Sequence, residues 1–114
     1  MPPIYKILAR SEWTAAAATG RFDGSPVDLA DGFIHFSTAV QAPETARRHF
    51  RGRAGLVVIA VAAEALGDAL KWEPSRGGAL FPHLYGSLPC ALAGAPRAAP
   101  LGPDGVPELG DLAP

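Results

Sequence analysis

The sequence predicts an α+β domain in which two main helices pack on a mixed or antiparallel sheet. Three observations carry this reading. Short apolar, partly β-branched segments recur at 4–8, 32–36 and 55–61. Two helix-favouring stretches separate them, and beyond residue 61, apart from one helical turn, the regular segments are strand-like. Strands and helices that alternate briefly and then give way to a run of strands belong to the α+β class. The 114 residues fit one domain.

Taken in order, Ile4–Leu8 reads as the first strand, bounded by Pro3 and Arg10. A helix follows from Ser11, with Ser11 as its cap, Glu12 in its first turn, four consecutive alanines in its body and Gly20 as terminator. Residues 21–31, with Gly24, Ser25-Pro26 and Asp31, read as loop. Gly32–Phe36 is a short strand, apolar on both faces except at His35. Thr38 and Gln41 have capping-box spacing ahead of a helical body over 43–51. On that body Ala42, Ala46 and Phe50 face the core, and Arg47, Arg48 and Arg51 face away. Gly55–Val61 lacks alternation, as expected of a central strand buried on both faces. A helical turn around Glu64–Leu66 breaks at Gly67, and Leu70–Glu73 is a weak strand before a loop at 74–78. Phe81–Tyr85 is extended, with Pro82 restricting it to an edge or a bend. Residues 1–93 form the domain. Residues 94–114, rich in Gly, Pro and Ala, hold a weak strand, a turn at Pro103–Gly105 and a tail.

Composition excludes several classes of function. Hydrophobic residues make up 48% of the chain, but 22 of them are alanine, so the core is modest. A net charge of −1 and a pI near 6.3 argue against a protein that coats nucleic acid or anionic membrane. The lone Cys90 makes no internal disulfide and has no partner motif for a thiolate zinc site or a nucleophile. The apolar run from Leu56 to Ala63 is far short of the ~20 residues of a membrane span. The N-terminus lacks the apolar stretch of a signal peptide. A cytoplasmic, monomeric protein is expected, with neither nucleic acid nor membrane as partner.

Chemistry-bearing residues concentrate in two segments. His35 is a titratable ring among Phe33, Ile34 and Phe36, followed at once by Ser37 and Thr38 at a strand-to-helix junction, where free backbone N–H groups can meet an anion. The competing reading is a buried histidine bonded to a backbone carbonyl, with Thr38 as a cap. In an extended chain Phe81, His83 and Tyr85 share one face, where a His and a Tyr can grip a ring or a phosphate. The competing reading is an edge strand with two amphipathic side chains. Lys6 is the sole charge in the first strand and shares a face with Ile4 and Leu8, which suits the lining of a cleft. Glu73 is the sole acid on a candidate strand. The three histidines match no metal-ligand spacing, so no metal site is expected. The arginines at 47, 48, 51 and 53, with His49 among them, read as a solvated helix face.

Together these segments resemble the bacterial domain-of-unknown-function 952 family. The likeness covers about residues 4–92 and rests on GFIHFST (32–38) and FPHLYG (81–86), with Glu12-Trp13, Gln41, Thr45–Arg47 and Trp72-Glu73 beside them. The resemblance implies a fold like that of the ADP-ribosyltransferase superfamily, which includes RNA 2′-phosphotransferases and whose split sheet holds NAD in a cleft. It implies that Lys6, Ser37, Thr38 and Tyr85 contact NAD or a related small-molecule nucleotide, and that His35, Glu73 and His83 carry the chemistry. Cleaving the nicotinamide–ribose bond passes through an oxocarbenium-like state. Glu73 would stabilise it, while His35 and His83 orient ribose hydroxyls or a phosphate. A 2′-phosphotransferase would instead use Arg47, Arg48 and Arg51 on the phosphate. A non-catalytic module that binds a nucleotide or a protein is the alternative. Two features depart from the superfamily: Lys6 only donates where a neutral imidazole also accepts, and no Glu-x-Glu motif is present.

Overall fold

The computed structural model describes residues 2–112. Its centre is the pairing of β1 (Pro3–Ala9) with β4 (Leu56–Ala62), antiparallel from Pro3 opposite Ala62 to Ala9 opposite Leu56. β8 (Arg97–Ala98) joins the free edge of β4, which places β4 in the middle as its unbroken apolar pattern predicts. Val57, Ile59 and Val61 face one core with Trp13, Phe22, Ile34 and Leu84. Leu56 and Val58 face a second core with Ala42, Ala46, Ala99 and Leu109. The C-terminal segment thus supplies β8 and Leu109, and the expected turn closes where the Gly102 N–H donates to the Val106 carbonyl.

α1 (Arg10–Thr19) starts directly from β1 rather than behind a Ser11 cap. Ala9 is its N-cap and offers no side chain, but the Arg10 N–H donates to the Gly55 carbonyl at 2.8 Å, satisfying one exposed donor of the first turn. The helix buries Trp13 and Ala16 and ends at Gly20, whose φ of 85° is the left-handed stop expected there.

The stretch read as loop contains β2 (Arg21–Phe22) and α2 (Pro26–Asp31), so the described residues form a short third α-helix beside the two main ones expected. α2 is too short to show periodicity, and Val27 and Leu29 on it are exposed. What defines it is capping: Pro26 opens the helix, and the Asp28 carboxylate accepts from the Ser25 N–H at 2.8 Å.

β3 (Ile34–His35), β6 (Ala79–Leu84) and β5 (Leu70–Ser75) form a second three-stranded sheet in the order β3-β6-β5, while β7 (Leu88–Pro89) pairs with β2. Every strand pair is antiparallel. Pro82 therefore lies in a central strand, not at the edge or bend expected of it. Its carbonyl accepts from the Phe36 N–H at 3.0 Å, so its ring nitrogen faces that same flank, just past the point where the β3 ladder ends at His35. No ladder bond to β5 is lost.

The two larger sheets meet at one bridge. The Tyr5 N–H donates to the Ser37 carbonyl at 2.7 Å and the Ser37 N–H to the Tyr5 carbonyl at 2.8 Å. α3 (Ala42–His49) follows, entered through the expected reciprocal bonds of Thr38 and Gln41. Its Ala42 and Ala46 are fully buried, and Arg47 and Arg48 are exposed, as the sequence pattern requires. Among the described residues no helix is long and apolar enough to cross a membrane.

Candidate functional site

A cleft of about 450 Å³ opens beside the bridge. β1 gives it Tyr5 and Lys6, and the end of β3 gives His35 and Ser37. β6 contributes Phe81 and His83, and the C-terminal end of α3 with the turn after it contributes His49, Phe50 and Arg53. That volume is in the range of small-molecule sites.

The register of β3 against β6 builds the centre. His35 and His83 are direct cross-strand partners, so their side chains rise from one face. Their ring centroids are 5.6 Å apart. Phe33, two residues before His35 and on the same face, stacks on His83 at 4.1 Å and lies 4.5 Å from His35, fixing both imidazoles.

The two histidines differ in their partners. Nδ1 of His35 is 2.6 Å from Asp28 Oδ1 and its Nε2 is 3.0 Å from Asp31 Oδ2. Carboxylates only accept, so the ring satisfies both contacts at once only as the imidazolium. Asp28 is 1% exposed and is the hub of the region. Besides the His35 ring it accepts from the His35 N–H at 3.1 Å, from the Ser25 N–H, and from Lys6 Nζ at 2.9 Å. Burial by itself raises the Asp28 carboxyl, but the His35 bond, the charge and bond of Lys6 and the Ser25 bond together hold it down at about 2. Burial also pulls the Lys6 ammonium below its usual value, against the opposing pull of Asp28.

His83 has a single carboxylate partner. Its Nδ1 is 2.8 Å from Glu73 Oε1, and the Tyr85 hydroxyl donates to the same oxygen at 2.7 Å. These bonds, that of His83 first, keep Glu73 below the usual carboxylate range, and they raise the Tyr85 hydroxyl. With Nδ1–H donating to Glu73, Nε2 of the neutral ring is the acceptor. It makes no hydrogen bond to another described residue.

The cationic run divides. Arg47 and Arg48 both bind Glu44, and Arg51 donates to the Asp104 carbonyl, so these three are the solvated or structural face. Arg53 instead lies over the Phe50 ring at 4.9 Å, and with His49 it lines the cleft. Among the described residues no group of three or more His, Cys, Asp or Glu could hold a metal ion. Cys90 is a free, half-buried thiol pushed up by burial.

The family model of DUF952, described as a protein of unknown function, matches residues 7–93. The chain belongs to the DUF952 family. The crystal structure of protein CC0527 from Caulobacter crescentus is 60% identical, covers 96% of each chain and superposes with a TM-score of 0.92. A crystal structure of a double mutant of that protein is 59% identical, with the same coverage and TM-score. Its solution NMR structure is 60% identical, covers 97% of this chain and 96% of that one, and has a TM-score of 0.86. A search of curated proteins finds no match.

Within this DUF952 fold the residues singled out from the sequence fall into three groups. His35, His83, Lys6 and Ser37 line the cleft, although Lys6 Nζ is committed to Asp28 and to the His35 carbonyl at 3.1 Å. The Ser37 hydroxyl is 3.0 Å from that of Thr45. Glu73 and Tyr85 are brought to His83 but stand behind it. Thr38 is spent on the Gln41 cap and is not among the lining residues. Sequence reasoning missed Asp28, Asp31, Phe33, His49 and Arg53. Asp28 carried a readable signal, since Ser25-Pro-Val-Asp28 has capping-box spacing with Pro at the first helical position.

Proposed function

We propose that the cleft binds a small anionic, ring-bearing ligand of the nucleotide class. The observation that carries this reading is the cross-strand pair His35–His83 on the wall of a cleft whose other side presents Arg53 and His49. Arg53 and His49 suit a phosphate, Phe50 and Phe81 suit the face of a base, and His83 Nε2 can accept from a ribose hydroxyl. What supports the reading is a cleft beside the junction of two antiparallel sheets, where an ADP-ribosyltransferase-like site would hold its ligand. The cleft differs from such a site in that Lys6, fixed by Asp28, is not free to hold a nicotinamide ribose.

ADP-ribose transfer from NAD is a second reading, favoured by one observation. Glu73 is an ionised carboxylate one imidazole away from the cleft and could steady an oxocarbenium-like state. Titration of the ¹⁵N-labelled protein with AMP, ADP-ribose and NAD tests both. The expected result is a set of shifts centred on His35, Phe81, His83 and Arg53 with all three ligands. Nicotinamide release from NAD would favour the second reading, and no shift with any ligand would overturn both.

A further inference from the structure

Building on the nucleotide cleft, the geometry points to a general acid–base pair, with His83 as base and His35 as acid, that hydrolyses a cyclic phosphodiester of a ribonucleoside. The two rings are cross-strand neighbours, 5.6 Å between centroids, and line one cleft. Their surroundings give them opposite proton inventories. Lys71 and Glu73 on β5, Tyr85 beyond β6 and His35 on β3 are the ionisable groups around His83. Among the described residues only Glu73 bonds it, at Nδ1, which leaves Nε2 with a lone pair. Asp28 and Asp31 on α2, Lys6 on β1 and His83 surround His35. The two carboxylates take a proton contact from each ring nitrogen. A ring bonded to carboxylates at both nitrogens can donate, and one bonded at Nδ1 alone can accept at Nε2, which is how the acid and base roles divide here.

The two carboxylates on His35 are not equivalent. Asp28 is 1% exposed and fixed by Lys6 and Ser25, whereas the Asp31 side chain is 48% exposed and, among the described residues, bonds only His35 Nε2. An anionic substrate arriving beside Asp31 repels it, and the Nε2–H it leaves is the proton available for donation. The step balances without a co-reactant other than water. A water oxygen attacks phosphorus while His83 Nε2 takes one of its protons. The bond from phosphorus to one ribose oxygen breaks, and His35 Nε2 protonates that oxygen. The product is a nucleoside phosphomonoester, and exchange with solvent returns each histidine to its starting state. Arg53 and His49 are the cations at hand for the non-bridging oxygens. A cyclic diester places phosphorus and leaving oxygen on one nucleotide, which a cleft of about 450 Å³ can hold. The net charge of −1 suits a mononucleotide rather than a polymer strand.

The test is incubation of the full chain with 2′,3′-cyclic AMP, followed by ³¹P NMR. One phosphomonoester signal is expected to replace that of the cyclic ester, with a bell-shaped dependence of kcat/KM on pH. His83→Asn and His35→Asn are each expected to lower kcat by ~100-fold or more. Glu73→Gln, a positioning change, should lower kcat and leave KM in place, and Arg47→Ala should change neither. No product from the wild-type chain while AMP still shifts the cleft resonances would overturn this inference alone. Loss of AMP binding itself would overturn the reading beneath it. Unchanged rates in both histidine variants would also overturn the inference. If either variant fails to fold, a wild-type pH profile without two limbs does the same.

Discussion

His35 and His83 sit opposite one another in a ladder, yet the regions around them are built on different principles. Around His35 the inner carboxylate is closed off: Asp28 is buried, takes four donors and ties β1, α2 and β3 together, while Asp31 on the outer ring nitrogen is exposed. Around His83 the carboxylate is Glu73, 38% exposed, and one ring nitrogen makes no hydrogen bond to another described residue. A buried charge network costs a great deal to break because each member leaves another charge stranded. A rim pair in contact with water costs little to break but sets the direction of a proton. The Asp28 network therefore holds the fold at the site, and the His83–Glu73 pair orients a ring that faces the cleft.

The sharpest way to break this contrast is Asp28→Ala. It strands Lys6, the His35 N–H and the Ser25 N–H, and a loss of about 3–5 kcal/mol is expected in urea unfolding. Glu73→Ala should leave the unfolding midpoint nearly unchanged. Equal losses for the two variants would mean that the regions are not different in kind. Lys6→Met leaves His35 as the remaining cation on Asp28 and should cost about 3 kcal/mol, the low end of the same range.

Acid sharpens the comparison next. The Asp28 carboxyl is held at about 2, below its unfolded value of 3.8. Its contribution is thus complete above pH 4 and is lost as the pH falls toward 2, a change of roughly 2 kcal/mol. Chemical denaturation at pH 5, 4, 3 and 2 should show this slope in the wild type, and Asp28→Asn should flatten it. Glu73→Gln is the smallest change in stability but not in chemistry. Without the carboxylate on Nδ1, His83 should relax toward a mixture of tautomers, visible in its ¹⁵N ring shifts.

Much of the fold was legible because its long elements obey simple periodicities. The unbroken apolar run at 56–61 could only be a central strand, and Thr38-x-x-Gln41 marked the entry to α3. Short elements were not legible. α2 spans six residues and exposes Val27 and Leu29, so no apolar face announces it, and its capping signal lay inside a Gly/Pro-bearing stretch. Pro82 misled for a related reason: the rule that keeps proline at an edge presumes a neighbour on both flanks, and β3 stops one residue too soon to need that donor. At the site, period-2 spacing placed His83 with Tyr85, but which strand would lie opposite His35 is a matter of tertiary register. Lys6 does line the cleft, but its commitment to Asp28 was not legible because that counter-charge stands 22 positions away. Arg53 looked like one more solvated arginine because the turn after α3, in which its N–H donates to the Phe50 carbonyl, and not the sequence spacing brings it over the Phe50 ring.

The bridge between Tyr5 and Ser37 gives the cleft a built-in gauge. Two short backbone bonds join the sheets there, and both residues line the cavity, so any widening of the cavity at that seam must release those two amide protons to solvent. Their hydrogen-exchange rates then count how often the sheets part. A molecule lodged between the sheets slows that parting, and its arrival is written in the lifetimes of two protons.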